Sequence, residues 1–293
     1  MVKESDRRPD ALRVSRVAVF YGVKLRLLDQ RVAQDCDISV GKLSRERRSA
    51  ARGLACRVAS TLVSTDTMKS LQPHRWDVTT TEAREIQIRL RSRVSRRGKL
   101  RHIRYVAGVD LSIRGDRAVA AIPVLRWDDL ELIELATSDQ HIQFPYVPGL
   151  LSFREIPAIL AAAEQLTIEP DLILVDGQGI AHQRRFGLAS HLGVLLDKPT
   201  IGCAKTGLIG MHDEPYEEAG SYTDLFDEVE LIGAVLRTRT DVKPLYISVG
   251  HKVELSAALD CVLDCCTGYR LPEPTRLAHQ AAGATLLRAI SKQ

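Results

Sequence analysis

At 293 residues with 45% apolar side chains, the chain can bury a full core as one large domain or two small ones, and its six cysteines are too few for a disulfide scaffold. No stretch approaches the roughly 18 apolar residues of a membrane span, and MVKESDRRPD at the start lacks a signal peptide's apolar centre; a globular, soluble protein of the cytoplasm with reduced thiols is expected. The net charge of +4 is uneven: residues 1–75 hold 16 Lys and Arg against 8 Asp and Glu, a balance of +8 that leaves −4 for the remainder.

In chain order, the basic segment 1–75 comes first. VSRVAVFYGVKLRLL reads as strand or helix and SRERRSAARGLACRVASTLV as a basic amphipathic helix. An accessory region, a partly disordered one and a misassigned start of translation all fit. Residues 84–104, REIQIRLRSRVSRRGKLRHIR, carry nine basic residues and one acid, Glu85. Such a run is either a solvated helix face or a phosphate-contacting surface, and the second reading points to nucleic acid.

Organisation sharpens after Trp76. TTTEAREIQIRLRSRV has capping residues ahead of a helical pattern with Ile86, Ile88, Leu90 and Val94 apolar. IRYVAGVDLSI, RAVAAIPVLRW and LELIELATSDQ read as three strands of an antiparallel meander, turning at Arg114–Asp116 and Asp128–Asp129. SFREIPAILAAAEQL is helical, DLILVD a strand, HQRRFGLASHLGVLLD helical and PTIGCA a strand. That alternation is the pattern of right-handed crossover units. ELIGAVLRT and PLYISVG add two strands, and VELSAALDCVLDCC and PTRLAHQAAGATLLRAI close the chain as helices. The expected fold is α/β, a mixed sheet with flanking helices and a central first strand, following a basic extension over 1–75; the domain of interest spans 76–293. Cys261, Cys265 and Cys266 lack metal-site spacing and read as small apolar helix residues.

Asp110 lies inside an apolar strand, where an unpaired carboxylate costs several kcal/mol. Asp176 ends another strand at the carboxyl edge, where open α/β sheets bind ligands. If these strands are neighbours, the two carboxylates converge, and an oxygen-rich pair suits Mg²⁺, with Mn²⁺ able to substitute, better than zinc. Glu155 is a third acid near a helix start. In FPYVP, Pro145 and Pro148 stiffen a turn that offers Tyr146, a ring suited to wedging into a base stack.

YVAGVDLSI, FPYVPGLLSFREIPAIL, PDLILVDGQGIAHQRRFGLASHLGVLLDKPTIGCAKTGLIG and YRLPEPTRLAHQ, in this order and spacing, resemble endonuclease V, the deoxyinosine-directed nuclease family with a ribonuclease-H-like fold. The resemblance spans about 76–290 and implies Asp110 and Asp176 as direct metal ligands, with Glu155 holding a metal-bound water or a second metal. Lys205 falls near the scissile phosphate and His279 at a fourth position on the last helix, with His251 as a competitor. Pro145, Tyr146, Val147 and Pro148 form the strand-separating wedge. Gly149, Leu151, Gly177, His182 and Gly202 line a hypoxanthine pocket with Leu208 close by, and Gly177 and Gly179 keep the approach to the base open.

The implied protein is a monomeric deoxyribonuclease V. It cuts the second phosphodiester 3′ of deoxyinosine in DNA, leaves a 3′-hydroxyl and a 5′-phosphate, and begins DNA repair. Inosine-directed cleavage of RNA and a non-catalytic nucleic-acid-binding protein are the alternatives.

Overall fold

The computed structural model of the chain describes residues 68, 70–98 and 100–283. The expectations for VSRVAVFYGVKLRLL and SRERRSAARGLACRVASTLV, and the last turns of PTRLAHQAAGATLLRAI, lie outside them.

Thr79 caps the first described helix, α1 (Thr80–Leu90), which runs into a 3-10 turn at Arg91–Arg93. The Thr79 hydroxyl accepts the Glu82 N–H at 3.2 Å while the Glu82 carboxylate accepts the Thr79 N–H at 2.7 Å. Both otherwise orphaned donors are thereby satisfied. Ala83, Ile86, Gln87 and Leu90 form the buried face. Ile88, placed on the apolar stripe by the sequence, is instead 50% exposed, and the polar Gln87 is buried.

The meander forms as expected: β1 (Tyr105–Arg114), β2 (Arg117–Arg126) and β3 (Leu132–His141) pair antiparallel in succession. Helix α2 (Leu151–Ala163) leads to β4 (Leu172–Val175), and α3 (Leu188–Leu196) to β5 (Thr200–Ala204). Then follow β6 (Tyr222–Asp227), β7 (Glu230–Leu236), β8 (Leu245–His251), α4 (Leu255–Asp264) and α5 (Glu273–Ala282). They make one eight-stranded sheet of order β3-β2-β1-β4-β5-β8-β7-β6, with β1, β4 and β5 parallel and the other pairs antiparallel.

Period-two alternation divides the strands between two cores. Ala107, Val109, Ile173 and Val175 face α2 and α3 through Ile156, Ile159, Leu192 and Leu195. Val106, Leu172, Leu174, Ile201 and Cys203 face the other way, towards Leu259 and Val262 of α4 and Cys265 at its C-cap. Among the described residues Cys203, Cys261, Cys265 and Cys266 are free thiols, and burial pushes Cys261 and Cys266 up to about 11, which makes them poor nucleophiles and fits their reading as small apolar residues.

Three local features differ from the sequence reading. Strand β6 has no counterpart in it, because YTDLFD is an edge strand with a single buried side chain, Leu225, and offers no apolar alternation to detect. Residues 182–187, expected as the first turns of a helix, form a loop: Arg185 adopts φ +54° and its guanidinium bonds Asp227 and Glu230 at 2.7 Å each, so tertiary ion pairs override helix propensity. His182 and His191 therefore do not share a helix. The segment 71–75, counted with the basic extension by composition, packs on this unit: the Leu71 N–H donates to Leu195 O, and His74 bonds the buried His191 at 2.8 Å. No described helix is long and apolar enough to cross a membrane.

Candidate functional site: a carboxylate edge beside a small cavity

Parallel pairing of β1 with β4 matches Val109 to Val175, so the next residues, Asp110 and Asp176, stand side by side. Strand β4 stops there while β1 runs on against β2, which opens the sheet where the carboxylates project. Their side chains are 12% and 11% exposed. Helix α5 crosses directly over this point because residue 108 is glycine: a Cβ there would lie 1.9 Å from the Pro274 carbonyl oxygen. That close approach brings His279 Nδ1 to 2.7 Å from Asp110 Oδ2. Ligand atoms of Asp110, Asp176 and His279 all lie within 4.8 Å of one another. His251 sits elsewhere, accepting the Ser95 N–H at the end of β8.

Lys205, just past β5, pairs with Asp176 and lies 3.9 Å from Asp110 Oδ2 and 3.4 Å from His279 Nδ1. Its backbone is pinned by Arg270, whose guanidinium donates to the carbonyls of Lys205 at 2.7 Å and Pro244 at 2.8 Å. The sequence reading missed Arg270, whose role depends on carbonyls far away in the chain. Glu155, half-buried on α2, is not part of the 4.8 Å group but feels its charge. Burial, then Asp110 and Asp176, push Glu155 up to about 8; burial and Asp110 likewise raise Asp176 against the opposing Lys205. A centre whose acids cannot all ionise together is short of positive charge, and the donor set fits a divalent cation.

This has a thermodynamic consequence. Between the ordinary Glu value of 4.5 and about 8, the folded protein holds a proton on Glu155 that the unfolded chain releases. Stability in the absence of metal is then highest below that window and falls as pH rises through it, by at most about 1.4 kcal/mol per pH unit for each such group. A divalent cation offsets the loss and binds more tightly as the protons leave. Thermal melts at pH 6 and pH 8.5, with and without Mg²⁺, check this: the metal-induced rise in Tm should be larger at pH 8.5, and an equal rise at both would contradict it.

Next to the carboxylates lies a cavity of about 160 Å³, lined by Tyr146, Val147, Pro148, Gly149, Leu151, Gly177, His182 and Leu208, together with Gln87, Ser152, Gln178, Gly187 and Leu188. Gly202 is not in its wall; a Cβ there would lie 2.5 Å from Gly179 N, so it lets β5 pack beneath the loop after β4. Gly179 faces β8, where a Cβ would meet Val249 O at 2.1 Å. Close packing accounts for Gly179, and only Gly177 of the pair borders the cavity. Tyr146 is 69% exposed at the rim, on a turn tied down at Phe144 O by Arg154 Nη1 (2.9 Å) and closed by the Leu150 N–H to Val147 O.

Three donors, one from α1 and two from the 182–187 loop, hold one oxygen of this turn. The Gly149 carbonyl accepts from Gln87 Nε2 at 3.1 Å, Arg184 Nη2 at 2.6 Å and His182 Nε2 at 3.0 Å. His182 Nδ1 accepts the Arg184 N–H, which leaves Nε2 as the protonated nitrogen. Burial, then Arg184, bring His182 down to about 4, so the ring is neutral near pH 7. Gln87 also donates to Phe186 O and accepts from Arg184 Nε. Gln87 and Arg184 thus lock the Tyr146 turn to the 182–187 loop, a role the sequence reading did not assign. Gln87→Leu leaves the Phe186 carbonyl and Arg184 Nε without this partner, while the Gly149 carbonyl keeps Arg184 and His182; at roughly 1–3 kcal/mol for a buried group left unpaired, urea melts should show a loss of about 2 kcal/mol.

Sheet order and flanking helices define a ribonuclease-H-like fold, with the acidic group at the edge of its sheet. The Endonuclease V family profile matches residues 88–280, and the chain belongs to that family. Endonuclease V of Dehalococcoides mccartyi is 53% identical over 211 residues, 71% of this chain and 95% of that protein. The crystal structure of Endonuclease V from Bacillus subtilis superposes with a TM-score of 0.71 at 36% identity, covering 77% of this chain and 99% of that one. Ciona intestinalis Endonuclease V, in complex with a 24mer DNA containing an inosine followed by a ribo-adenosine, gives a TM-score of 0.62 at 29% identity over 71% of this chain and 98% of its own.

Proposed function

We propose that the protein is a metal-dependent endonuclease that recognises deoxyinosine in DNA and hydrolyses the second phosphodiester on its 3′ side. The observation that carries this reading is the adjacency of Asp176 and Gly177: one belongs to the carboxylate group, the next to the cavity wall. A base held in the cavity is thereby set at a fixed offset from the reacting phosphate. The inosine-containing DNA bound by the Ciona intestinalis neighbour supports hypoxanthine as that base.

Asp110 and Asp176, joined by His279, are the groups that would hold the cation. Magnesium, or manganese in its place, when bound supplies Lewis acidity at the phosphoryl oxygens and stabilises charge on the leaving 3′-oxygen. Lys205 offsets the negative charge of the phosphate from the same edge. Glu155, or His279 where it does not ligate the cation, would take the proton of an attacking water. The water oxygen bonds to phosphorus, the P–O3′ bond breaks, and the 3′-oxygen takes up a proton, giving a 3′-hydroxyl and a 5′-phosphate. Tyr146 enters the stack where the base leaves it, while the Gly149 clamp keeps the wedge and the cavity in register.

The test is a nicking assay on matched oligonucleotides carrying deoxyinosine, deoxyadenosine or, in RNA, inosine, with Mg²⁺ or EDTA. Metal-dependent cutting confined to deoxyinosine DNA is expected. Equal cutting of the adenosine control would sink the recognition reading, and preferred cutting of the RNA would move the substrate to inosine in RNA.

A further inference from the structure

The segment after β4 borders two openings. It leaves the carboxylates at Asp176, walls the small cavity with Gly177 and Gln178, and then, through Ile180 and Arg185, walls a second cleft of about 370 Å³ shared with Arg91 and Arg96. Along this segment the order is carboxylates, cavity, cleft.

The helix that faces it carries charge that the fold does not use. Arg84 of α1 and Arg91, which caps the helix and opens the 3-10 turn, are seven residues apart and so lie on one side, with the exposed Ile88 between them. Both are exposed, and among the described residues neither has an acidic ion-pair partner. Arg184 adds a third guanidinium at the cavity mouth. It is bonded only to neutral oxygens, those of Gln87 and Gly149, and its pKa is lowered by burial and then by the charge of Arg84. At the cleft the balance differs: Arg185 is bonded to Asp227 and Glu230, and Arg96 to Glu230. Uncompensated charge therefore runs along the helix from Arg84, past Gln87 in the cavity wall, to Arg91 in the cleft wall, with Arg184 beside Gln87. Crowding like charges costs stability, and a polyanion laid along them reverses the sign.

We propose that the rim formed by Arg84, Arg91 and Arg184 holds the backbone phosphates of the damaged strand on the 5′ side of the recognised base, on the far side of the cavity from the carboxylates. The direction rests on the reading above, in which the cut falls on the 3′ side, so that the carboxylates take the 3′ arm. Arg84 and Arg91 lie about 10 Å apart along the helix axis, the rise of roughly three nucleotides of duplex backbone. Ile88 between them faces sugars rather than charge. These contacts carry no base information and act on register and affinity.

The experiment measures binding, by fluorescence anisotropy in EDTA, of single strands with one inosine and a fixed 3′ arm while the 5′ arm is shortened from eight nucleotides to one. The full chain is used as wild type and as the Arg84→Ala/Arg91→Ala double variant. For the wild type, shortening the 5′ arm should weaken binding at least ~10-fold. The variant should already be weakened on the long arm and lose most of its response to 5′ shortening, Arg184 alone remaining, with the dependence on 3′ arm length kept. Its salt slope should fall by about 1.4, from roughly 0.7 per lost single-strand phosphate contact. A variant that keeps the wild-type response to 5′ shortening, or loses the 3′ response instead, overturns the proposal while leaving inosine recognition standing. A wild type with no preference for inosine over adenosine at any arm length would sink the recognition reading and this rim with it.

Discussion

Asp110→Asn and Asp176→Asn are each expected to lower metal-dependent nicking at saturating substrate by at least ~10³-fold, a loss of about 4 kcal/mol in transition-state stabilisation. The amide keeps the shape of the carboxylate but withdraws a charged ligand from a centre where three donor groups converge within 4.8 Å. Stability should not follow activity. Asp176 is held above the ordinary carboxylate range by burial and by Asp110, so in metal-free protein its charge opposes the fold. The Asp176→Asn variant is therefore expected to melt no lower than wild type above pH 7 in EDTA, and binding of inosine-containing strands should persist. Nicking within ~10-fold of wild type by either variant, in a single-turnover assay, would remove these residues from the chemistry.

Tyr146→Ala should separate duplex from single-stranded substrates. The ring is 69% exposed and its turn is anchored on both sides, so truncation removes little packing from the body. Opening a duplex requires unstacking at a few kcal/mol per step, which an inserted side chain offsets. In a single strand the ring contributes at most a stacking contact of roughly 1–3 kcal/mol. Loss of kcat/KM on inosine duplex should exceed the loss on the matching single strand by about 10-fold or more. Equal losses would reduce Tyr146 to a stacking platform.

The parts of the site that were legible in the sequence are those set by strand pairing and by contiguous motifs. Asp110 and Asp176 each stood out as a carboxylate on an apolar strand, and the parallel register of β1 and β4 brings them together. The Tyr146 turn announced itself by its two prolines. What was not legible depends on contacts across the chain. Gln87 looks like an ordinary solvent-facing helix residue, yet its amide is buried against Gly149, Phe186 and Arg184, 62 to 99 residues away. Residues 182–187 contain good helix formers, and only Asp227 and Glu230, on a hairpin the sequence half-concealed, pull Arg185 out of helical geometry. Gly179 seemed to clear space for a ligand, whereas the neighbour it clears space for is the backbone of β8.

The offset between cavity and carboxylates is the centre of the account, and mapping the cut to single-nucleotide resolution tests it most directly. A strand with one deoxyinosine, labelled at the 5′ end in one sample and the 3′ end in another, is incubated with the full chain and Mg²⁺, and the products are sized beside phosphatase-treated standards. The expected result is one break, at the second phosphodiester 3′ of the inosine, with a 3′-hydroxyl on one fragment, a 5′-phosphate on the other and hypoxanthine still attached. Release of free hypoxanthine, or breaks scattered without regard to the inosine, would contradict a base held in the cavity at a fixed distance from Asp110 and Asp176.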